Sequence, residues 1–140
     1  MNENQNLLSL TTVLVVEDDS RLRRRITSYL ESLGAMVHAA DPLQVAKDIL
    51  QREELDFALM DVHLPDGNGL DLLDAVSDST GAVIMTAEGG METVVRAMQL
   101  GAQDYLSKPF DLKELPIVFR RIQKQQRTQR VEARRVEERK

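Results

Sequence analysis

The stretch Thr12-Val13-Leu14-Val15-Val16, followed at once by Glu17-Asp18-Asp19, decides the fold class. A continuous run of β-branched and leucine side chains is typical of a strand that is covered on both faces. Strands of this kind occur in parallel sheets, because the crossover connections place helices over the two faces of the sheet. The acidic residues stand where this first strand ends, and they indicate where to search for chemistry.

Four more short apolar runs are interpreted as strands, at residues 36–40, 57–60, 82–85 and 104–107. Three of these runs lead directly into a polar residue that can carry chemistry: Asp61, Thr86 and Lys108. In an open parallel sheet, ligands bind beyond the carboxyl ends of the strands. We therefore expect these three side chains and the acidic residues after the first strand to lie at one edge.

Residues with helical spacing follow each strand, at 20–33, 42–52, 70–77, 91–100 and from about 111 onward. Five alternating strand and helix segments predict the α/β class, with a doubly wound parallel sheet and helices on both faces. Asp41 and Pro42 predict the start of the second helix. Asp111 and Glu114 have capping-box spacing for the last helix, and Pro116 is expected to kink or delay it.

Converging carboxylates require a positive charge among them, since two such charges ~4 Å apart repel by roughly 4 kcal/mol at a protein surface. Magnesium suits this need, because it binds oxygen ligands and retains several waters. With the ion present, Asp61 would be the nucleophile of a phosphoryl transfer. Lys108 and Thr86 would stabilise the phosphoryl oxygens, by charge and by a hydrogen bond respectively.

The composition narrows the class of protein. The chain has 140 residues, 42% hydrophobic and 29% charged, which is ordinary for a soluble domain. The absence of cysteine excludes disulfides, thiolate metal sites and cysteine nucleophiles. No apolar run approaches the ~20 residues of a membrane span, and the start lacks the features of a signal peptide. These features predict a soluble cytoplasmic protein without membrane contacts.

Five motifs together resemble the receiver domain of bacterial two-component response regulators: Val15-Val16-Glu17-Asp18-Asp19, Asp61-Val62-His63-Leu64-Pro65-Asp66-Gly67-Asn68-Gly69, Met85-Thr86-Ala87, Asp104-Tyr105-Leu106-Ser107 and Lys108-Pro109-Phe110. The resemblance spans residues 12–122, with every motif in order. It implies a flavodoxin-like fold with strand order 2-1-3-4-5. The run 101–112 is similar to receivers of enhancer-binding transcription activators.

The resemblance also implies roles for single residues. Asp18 and Asp61 would ligate magnesium together with the backbone carbonyl of His63, and Glu17 would act through a water. The Lys108–Pro109 peptide bond would be cis. Thr86 and Tyr105 would form the switch that responds to phosphorylation. His63 and Glu88 lie two residues beyond Asp61 and Thr86, so we hypothesise that they set the lifetime of the phosphate.

The implied function is a signalling switch that accepts a phosphoryl group on Asp61 and controls an output, with transcription regulation expected. The donor would be a histidine kinase or a phosphotransfer protein, and the domain would not be a conventional enzyme. A stand-alone phosphorelay adaptor is an alternative. A phosphohydrolase with an aspartate nucleophile is disfavoured, because Glu17-Asp18-Asp19 does not provide an Asp-x-Asp motif. A nucleotide- or flavin-binding module ranks last, since no Walker loop or Gly-x-Gly-x-x-Gly is present.

The ends of the chain differ from its body in charge. Residues 1–119 hold nine Lys/Arg and twenty Asp/Glu, whereas residues 120–140 hold nine Lys/Arg and three Asp/Glu. We predict a flexible N-terminus over 1–11, a receiver domain over 12–122 and a basic helical extension or linker over 123–140. A fused output domain is expected beyond residue 140.

The basic extension leaves two structural interpretations open, a weak coiled coil or a frayed charged helix. Its apolar heptad positions are interrupted by Gln126 and Gln129, which weakens a coiled-coil seam. It lacks aromatic residues and a DNA-binding motif, so no direct nucleic-acid contact by this domain is expected. A homodimer would use the fourth helix, the fifth strand and the fifth helix. The basic cluster at 21–25 is explained more simply by a solvated helix face than by kinase docking.

Overall fold

The computed structural model describes residues 6–40, 43–64, 67–87 and 90–138. Its strands are β1 (Thr12–Val16), β2 (Met36–Ala40), β3 (Phe57–Asp61), β4 (His63–Leu64), β5 (Gly67–Asn68), β6 (Gly81–Thr86) and β7 (Asp104–Ser107). Its α-helices are α1 (Ser20–Ser32), α2 (Leu43–Arg52), α3 (Met91–Gln99) and α4 (Glu114–Glu138), and a 3-10 helix spans Gly69–Ala75.

The five longer strands form one parallel sheet in the order β2-β1-β3-β6-β7. Counted along the chain, these are the first to fifth long strands in the order 2-1-3-4-5. The predicted flavodoxin-like topology is therefore confirmed. Because β1 and β3 lie side by side in the centre, the residues that follow them are neighbours in space.

Two apolar layers cover the sheet, one on each face. Alternate residues of β1 point to opposite layers, with Val13 and Val15 in one and Leu14 and Val16 in the other. Helices α1 and α4 cover the first face, and α2, the 3-10 helix and α3 cover the second. Phe57 and Phe119 join β3 to α4 by stacking, with ring centroids 4.2 Å apart.

The segment between β3 and β6 differs from the prediction. An α-helix was expected over 70–77, but the structure has the 3-10 helix, preceded by the antiparallel pair β4 and β5. In a 3-10 helix, residues three apart stack on one face, which lets Leu70 and Leu73 enter the same apolar layer. The side chain of Asn68 accepts the Leu70 N–H at 2.9 Å and fixes the start of the turn.

The last helix begins as its capping pattern predicts. The Glu114 carboxylate accepts the Asp111 N–H at 2.9 Å, and the Asp111 carboxylate accepts the Lys113 N–H at 3.0 Å. The helix begins at Glu114, and Pro116 lies in its first turn, where a missing N–H has no helical partner to lose. The helix continues without a break to Glu138.

The N-terminal segment makes contacts that a flexible N-terminus does not imply. Leu8 is buried in the layer beside α1, and its N–H donates to the Leu33 carbonyl at 2.7 Å. The Met36 N–H donates to the Thr11 carbonyl at 2.9 Å. The predicted helix start at Asp41 and Pro42 lies outside the described residues. Within the part of the chain that is described, no helix combines the length and apolar character needed to cross a bilayer.

Candidate functional site

The residues that follow β1, Glu17 to Asp19, form a segment that we call the acidic loop. Its three carboxylates have different environments. Glu17 is completely buried, whereas Asp18 and Asp19 are exposed. The Asp19 carboxylate accepts the N–H groups of Arg21 and Leu22 at 3.0 and 3.2 Å, so it caps the N-terminus of α1. Glu17 and Asp18 therefore remain for other chemistry.

Asp61 is the last residue of the central strand β3 and is buried, with 6% of its surface exposed. Its Oδ1 accepts the N–H of His63 at 3.0 Å. The backbone of Gly69 packs closely against the backbone of Asp61, since a Cβ at Gly69 would lie 2.0 Å from the Asp61 carbonyl oxygen. The Gly69 N–H also donates to the Val62 carbonyl at 2.8 Å. The backbone of Asp61 is therefore enclosed by the turn that follows it.

The ends of β1 and β3 bring three carboxylates together. One oxygen from each of Glu17, Asp18 and Asp61 can be chosen so that all three lie within 4.8 Å of one another. The edge of a parallel sheet produces this convergence, because neighbouring strands end side by side. The arrangement matches the expectation for residues at the carboxyl ends of the strands.

Lys108 supplies the positive charge in this cluster. Its Nζ donates to Asp61 Oδ2 at 2.8 Å and also to Glu17 Oε1. The Lys108 N–H donates to the Thr86 carbonyl at 2.7 Å, and this bond places the lysine at the end of β6. The peptide bond between Lys108 and Pro109 is cis. One ammonium thus bridges the two buried carboxylates.

Burial and hydrogen bonding shift the pKa values of Glu17, Asp61 and Lys108 in different directions. Burial, followed by the hydrogen bond to Asp61, raises the pKa of Glu17 to about 8. Burial also raises the pKa of Asp61, but hydrogen bonds from Glu17, Lys108 and the His63 N–H outweigh it and leave the pKa below its usual value. Burial lowers the pKa of Lys108, but the two carboxylates outweigh it and leave the pKa raised. Asp61 is therefore an ionised carboxylate beside an ammonium at neutral pH.

Thr86 ends β6 and is buried, with 2% of its surface exposed. Within the described residues, its hydroxyl is buried and has no hydrogen-bond partner. A buried hydroxyl without a partner costs free energy, on the order of 1–3 kcal/mol. The hydroxyl is thus available to donate to an oxygen that enters the site.

Two of the other predicted residues, Tyr105 and His63, have solvent-exposed side chains. Tyr105 pairs with Ile84 across β6 and β7 and is 37% exposed. His63 is exposed in β4, one residue beyond the end of the buried segment that contains Asp61. Glu88 lies outside the described residues.

The donor set fits a magnesium ion. All three candidate ligand groups are carboxylates, which are hard oxygen donors, and among the described residues no nitrogen or sulfur ligand of a softer metal takes part in the cluster. Lys108 balances only part of their charge. Burial raises the pKa of Glu17 to about 8, and a divalent cation would favour loss of the Glu17 proton, because the charge of the ion offsets the cost of a buried carboxylate.

Two residues of this site were not singled out by the sequence analysis. Arg23 was grouped with the solvated basic cluster, but its Nη1 donates to the Glu17 carbonyl at 2.6 Å. Gly69 was included only as part of a turn. No local pattern distinguishes Arg23 from its neighbours, since its contact depends on where the acidic loop turns relative to α1.

Comparison with known proteins gives a consistent result. A family model described as "Response regulator receiver domain" matches residues 13–120. The photosynthetic apparatus regulatory protein RegA of Rhodobacter capsulatus is 33% identical over 107 residues, which cover 74% of this chain and 58% of that protein. The DNA-binding transcriptional regulator NtrC of Azospirillum brasilense is 35% identical over 117 residues, 81% of this chain and 24% of that protein.

A solved structure of similar fold is the non-phosphorylated HemR receiver domain from Leptospira biflexa. It superposes with a TM-score of 0.73 at 31% identity, and the match covers 80% of this chain and 93% of that one. The curated relatives are longer, since the chain spans 58% of RegA and 24% of NtrC.

Proposed function

The chain belongs to the response regulator receiver domains, and on that basis we propose that it is a magnesium-dependent signalling switch phosphorylated on Asp61. The phosphoryl group would come from a histidine kinase or a phosphotransfer protein. The observation that carries this proposal is the setting of Asp61, an ionised carboxylate at the end of the central strand that accepts a hydrogen bond from Lys108 at 2.8 Å. A carboxylate in this state is a ready nucleophile.

The proposed transfer forms one bond and breaks another. A carboxylate oxygen of Asp61 attacks phosphorus and forms an acyl phosphate, while the bond from phosphorus to the donor nitrogen breaks. The electron pair of that bond stays on the nitrogen, and a proton carried by the other ring nitrogen of the phosphoimidazole makes the leaving group a neutral imidazole. Reaction in this direction needs Asp61 to be deprotonated, which agrees with the direction of its pKa.

Asp18, Asp61 and Glu17 are the side chains that would hold magnesium, with Glu17 acting through a water and the His63 carbonyl as a further ligand. When bound, the ion neutralises negative charge on the phosphoryl oxygens. The protein contributes the remaining electrostatics. The Lys108 ammonium lies against the Asp61 carboxylate, where the phosphoryl group would be attached. The Thr86 hydroxyl, which has no partner among the described residues, can donate to a phosphoryl oxygen.

The proposed switch couples the Thr86 hydroxyl to the exposed face around Tyr105. A hydrogen bond from Thr86 to the phosphoryl group would move the end of β6, which is bonded to β7 through Lys108. Tyr105 lies in β7 with 37% of its surface exposed, so a change in this strand alters a surface that a partner can bind. Homodimerisation through α3, β7 and α4 is one output that this mechanism allows.

Incubation of the protein with acetyl phosphate and magnesium tests the proposal directly. Intact mass spectrometry should show a gain of one phosphoryl group, and hydroxylamine should remove it because it cleaves acyl phosphates. A chelator should prevent the gain. A protein that gains no mass, or gains it equally without a divalent ion, would contradict the proposal.

Magnesium should stabilise the folded protein, and Asp18→Asn should remove most of that effect. At a magnesium concentration 100 times the dissociation constant, binding raises the free energy of unfolding by about 2.7 kcal/mol. The substituted asparagine would retain the shape of the side chain but not its charge. Chemical denaturation with and without magnesium measures the difference for each protein.

Asp19→Asn is the matched control for this prediction. It removes the same charge from the neighbouring residue, and asparagine is an equally good N-cap for α1. We expect this variant to keep the full stabilisation by magnesium. If Asp19→Asn loses the effect and Asp18→Asn retains it, the assignment of the metal ligand is wrong.

His63 and Glu88 are proposed to set the lifetime of the acyl phosphate by ordering or excluding the attacking water. His63 is exposed two residues after the buried Asp61, and its backbone N–H donates to the Asp61 carboxylate. We expect the His63→Ala and Glu88→Ala variants to lose the phosphoryl group at rates that differ several-fold from the wild-type rate. The decay of the phosphorylated mass after removal of acetyl phosphate measures this, and unchanged decay in both variants would exclude the idea.

The basic extension is proposed to connect the receiver to an output. The relatives RegA and NtrC are longer than the matched region, which is consistent with a receiver that controls a further domain. Residues 123–138 are helical and largely exposed as the continuation of α4. A continuous helix of this kind can transmit a change at α4 to whatever follows it. Regulation of transcription in the cytoplasm is the role that we propose for the whole protein.

A further inference from the structure

Arg23 differs from the other arginines of α1 in what its side chain contacts. Arg21, Arg24 and Arg25 are exposed, whereas Arg23 is partly buried. The Arg24 guanidinium donates to the Ser20 carbonyl of its own helix at 3.3 Å. The Arg23 guanidinium instead leaves the helix and reaches back to the acidic loop.

Arg23 bonds three consecutive carbonyl oxygens of the acidic loop. Its Nη1 lies 2.6 Å from the Glu17 carbonyl oxygen and 3.4 Å from that of Asp18. Its backbone N–H donates to the Asp19 carbonyl at 2.9 Å. The first bond is short, as hydrogen bonds from a charged donor are, and such bonds are stronger than neutral ones. The bond from the Arg23 N–H is the ordinary first-turn bond of α1, whereas the Arg23 guanidinium ties the Glu17 and Asp18 carbonyls to the helix.

The backbone of this loop determines where two of the three clustered carboxylates lie. The Glu17 carboxylate also accepts the Asp18 N–H at 3.1 Å, so the two residues are linked to each other. Asp18 is the middle residue of the loop and is exposed, so solvent leaves its side chain room to move. Its position near Asp61 therefore depends on the loop backbone, to which the Arg23 guanidinium is bonded.

We propose that Arg23 is a positioning residue of the metal site, which holds the acidic loop so that the carboxylates of Glu17 and Asp18 converge with that of Asp61. This inference rests on the proposed function, because it concerns the same site. Partners that orient metal ligands without touching the metal affect affinity, and their loss typically weakens metal binding about 10- to 100-fold. Arg23 acts through main-chain carbonyls, so it contributes no ligand atom itself.

The direction in which the magnesium affinity changes distinguishes a positioning role of Arg23 from a purely electrostatic one. Removing a positive charge close to a cation site strengthens cation binding by Coulomb's law. Loss of the anchoring hydrogen bonds weakens it. A variant without the guanidinium therefore distinguishes the two roles by the direction in which the magnesium affinity changes.

The test compares Arg23→Met with Arg24→Met in the whole chain. Both variants lose one positive charge from adjacent positions of α1, and methionine retains much of the aliphatic stem of arginine. Titration calorimetry with magnesium should give a dissociation constant about 10- to 100-fold higher for Arg23→Met and close to wild type for Arg24→Met. Arg23→Lys should recover part of the affinity, since an ammonium can reach one carbonyl but cannot present a planar fork.

A kinetic readout gives an independent measure. In Arg23→Met, the magnesium concentration that half-saturates phosphorylation by acetyl phosphate should rise by the same factor, while the rate at saturating magnesium stays near that of the wild type. A purely structural role would lower the stability of the metal-free protein without changing magnesium affinity. Denaturation of the metal-free variants measures that contribution separately.

The possible outcomes have distinct meanings. A wild-type protein that binds no magnesium contradicts the proposed metal site itself. Wild-type binding with equal or tighter binding by Arg23→Met overturns only the role of Arg23. If Arg23→Met does not fold, Arg23→Lys decides, with Arg24→Lys as its control, and an affinity equal to that control overturns the inference.

Discussion

Asp61→Asn should gain no phosphoryl group under conditions that phosphorylate the wild-type protein completely. The substitution keeps the size and planarity of the side chain but replaces the ionised carboxylate by an amide, which is a far weaker nucleophile and cannot form the acyl phosphate. Asparagine keeps one of the two acceptor oxygens, so its amide can accept either the His63 N–H or the Lys108 ammonium, which bond different oxygens of Asp61. Intact mass measured over time with acetyl phosphate and magnesium gives the result.

Asp74→Asn is the matched control for this variant. Asp74 is an exposed aspartate in the 3-10 helix that follows the Asp61 turn, so the same change removes the same charge nearby. It should be phosphorylated as the wild type is. An equal mass gain in Asp61→Asn and the wild type would show that another residue accepts the group, and the proposed function would fail on this point.

Gly69→Ala should destabilise the protein and disable the site together. A Cβ at this position would lie 2.0 Å from the carbonyl oxygen of Asp61 and 2.9 Å from its carbonyl carbon. Both are backbone atoms of the central strand, so no side-chain rotation can relieve the clash. Overpacking costs about 1–3 kcal/mol and occasionally more, and we expect about 3 kcal/mol here. Because the displaced group is Asp61 itself, phosphorylation should slow markedly in the fraction that folds.

Gly101→Ala provides the comparison, because it separates a steric clash from backbone strain. Gly101 has a φ of 110°, and no atom of the described residues comes within 4 Å of where an alanine methyl would lie, so alanine there meets strain but no clash. That strain costs about 1–2 kcal/mol and lies far from the chemistry. Urea denaturation should rank Gly69→Ala as the less stable variant. A Gly69→Ala protein as stable and as readily phosphorylated as the wild type would exclude the close packing described behind Asp61.

The sequence predicted the sheet because its signals are local. Each central strand is a short apolar run, such as Thr12–Val16, and each is followed by a residue that marks the carboxyl end. Right-handed crossovers then leave few ways to arrange five such units. The two covered faces of the sheet and the meeting of Glu17, Asp18 and Asp61 at one edge follow from that regularity, whereas the strand order was implied by the resemblance to receiver domains.

The prediction was less successful where the chain departs from regular spacing. The segment after Asp61 contains enough apolar residues for an α-helix, but it forms a 3-10 helix whose first residue, Gly69, packs against the Asp61 backbone. Local propensity does not include that constraint. The N-terminal segment was similarly underestimated, since burial of Leu8 depends on a groove beside α1 that exists only after folding.

The sequence by itself determined the fold class and the candidates for chemistry, because apolar periodicity and strand-end residues are properties of short segments, while the order of the strands came from the resemblance of its motifs to receiver domains. Only the tertiary structure decided which role each of those candidate residues has. It separated Asp19, which caps α1, from Asp18, and it separated Arg23 from its solvated neighbours. It also placed Lys108 between Glu17 and Asp61. These distinctions depend on distances between segments far apart in the chain, which the packing of helices on the sheet sets and no local pattern encodes.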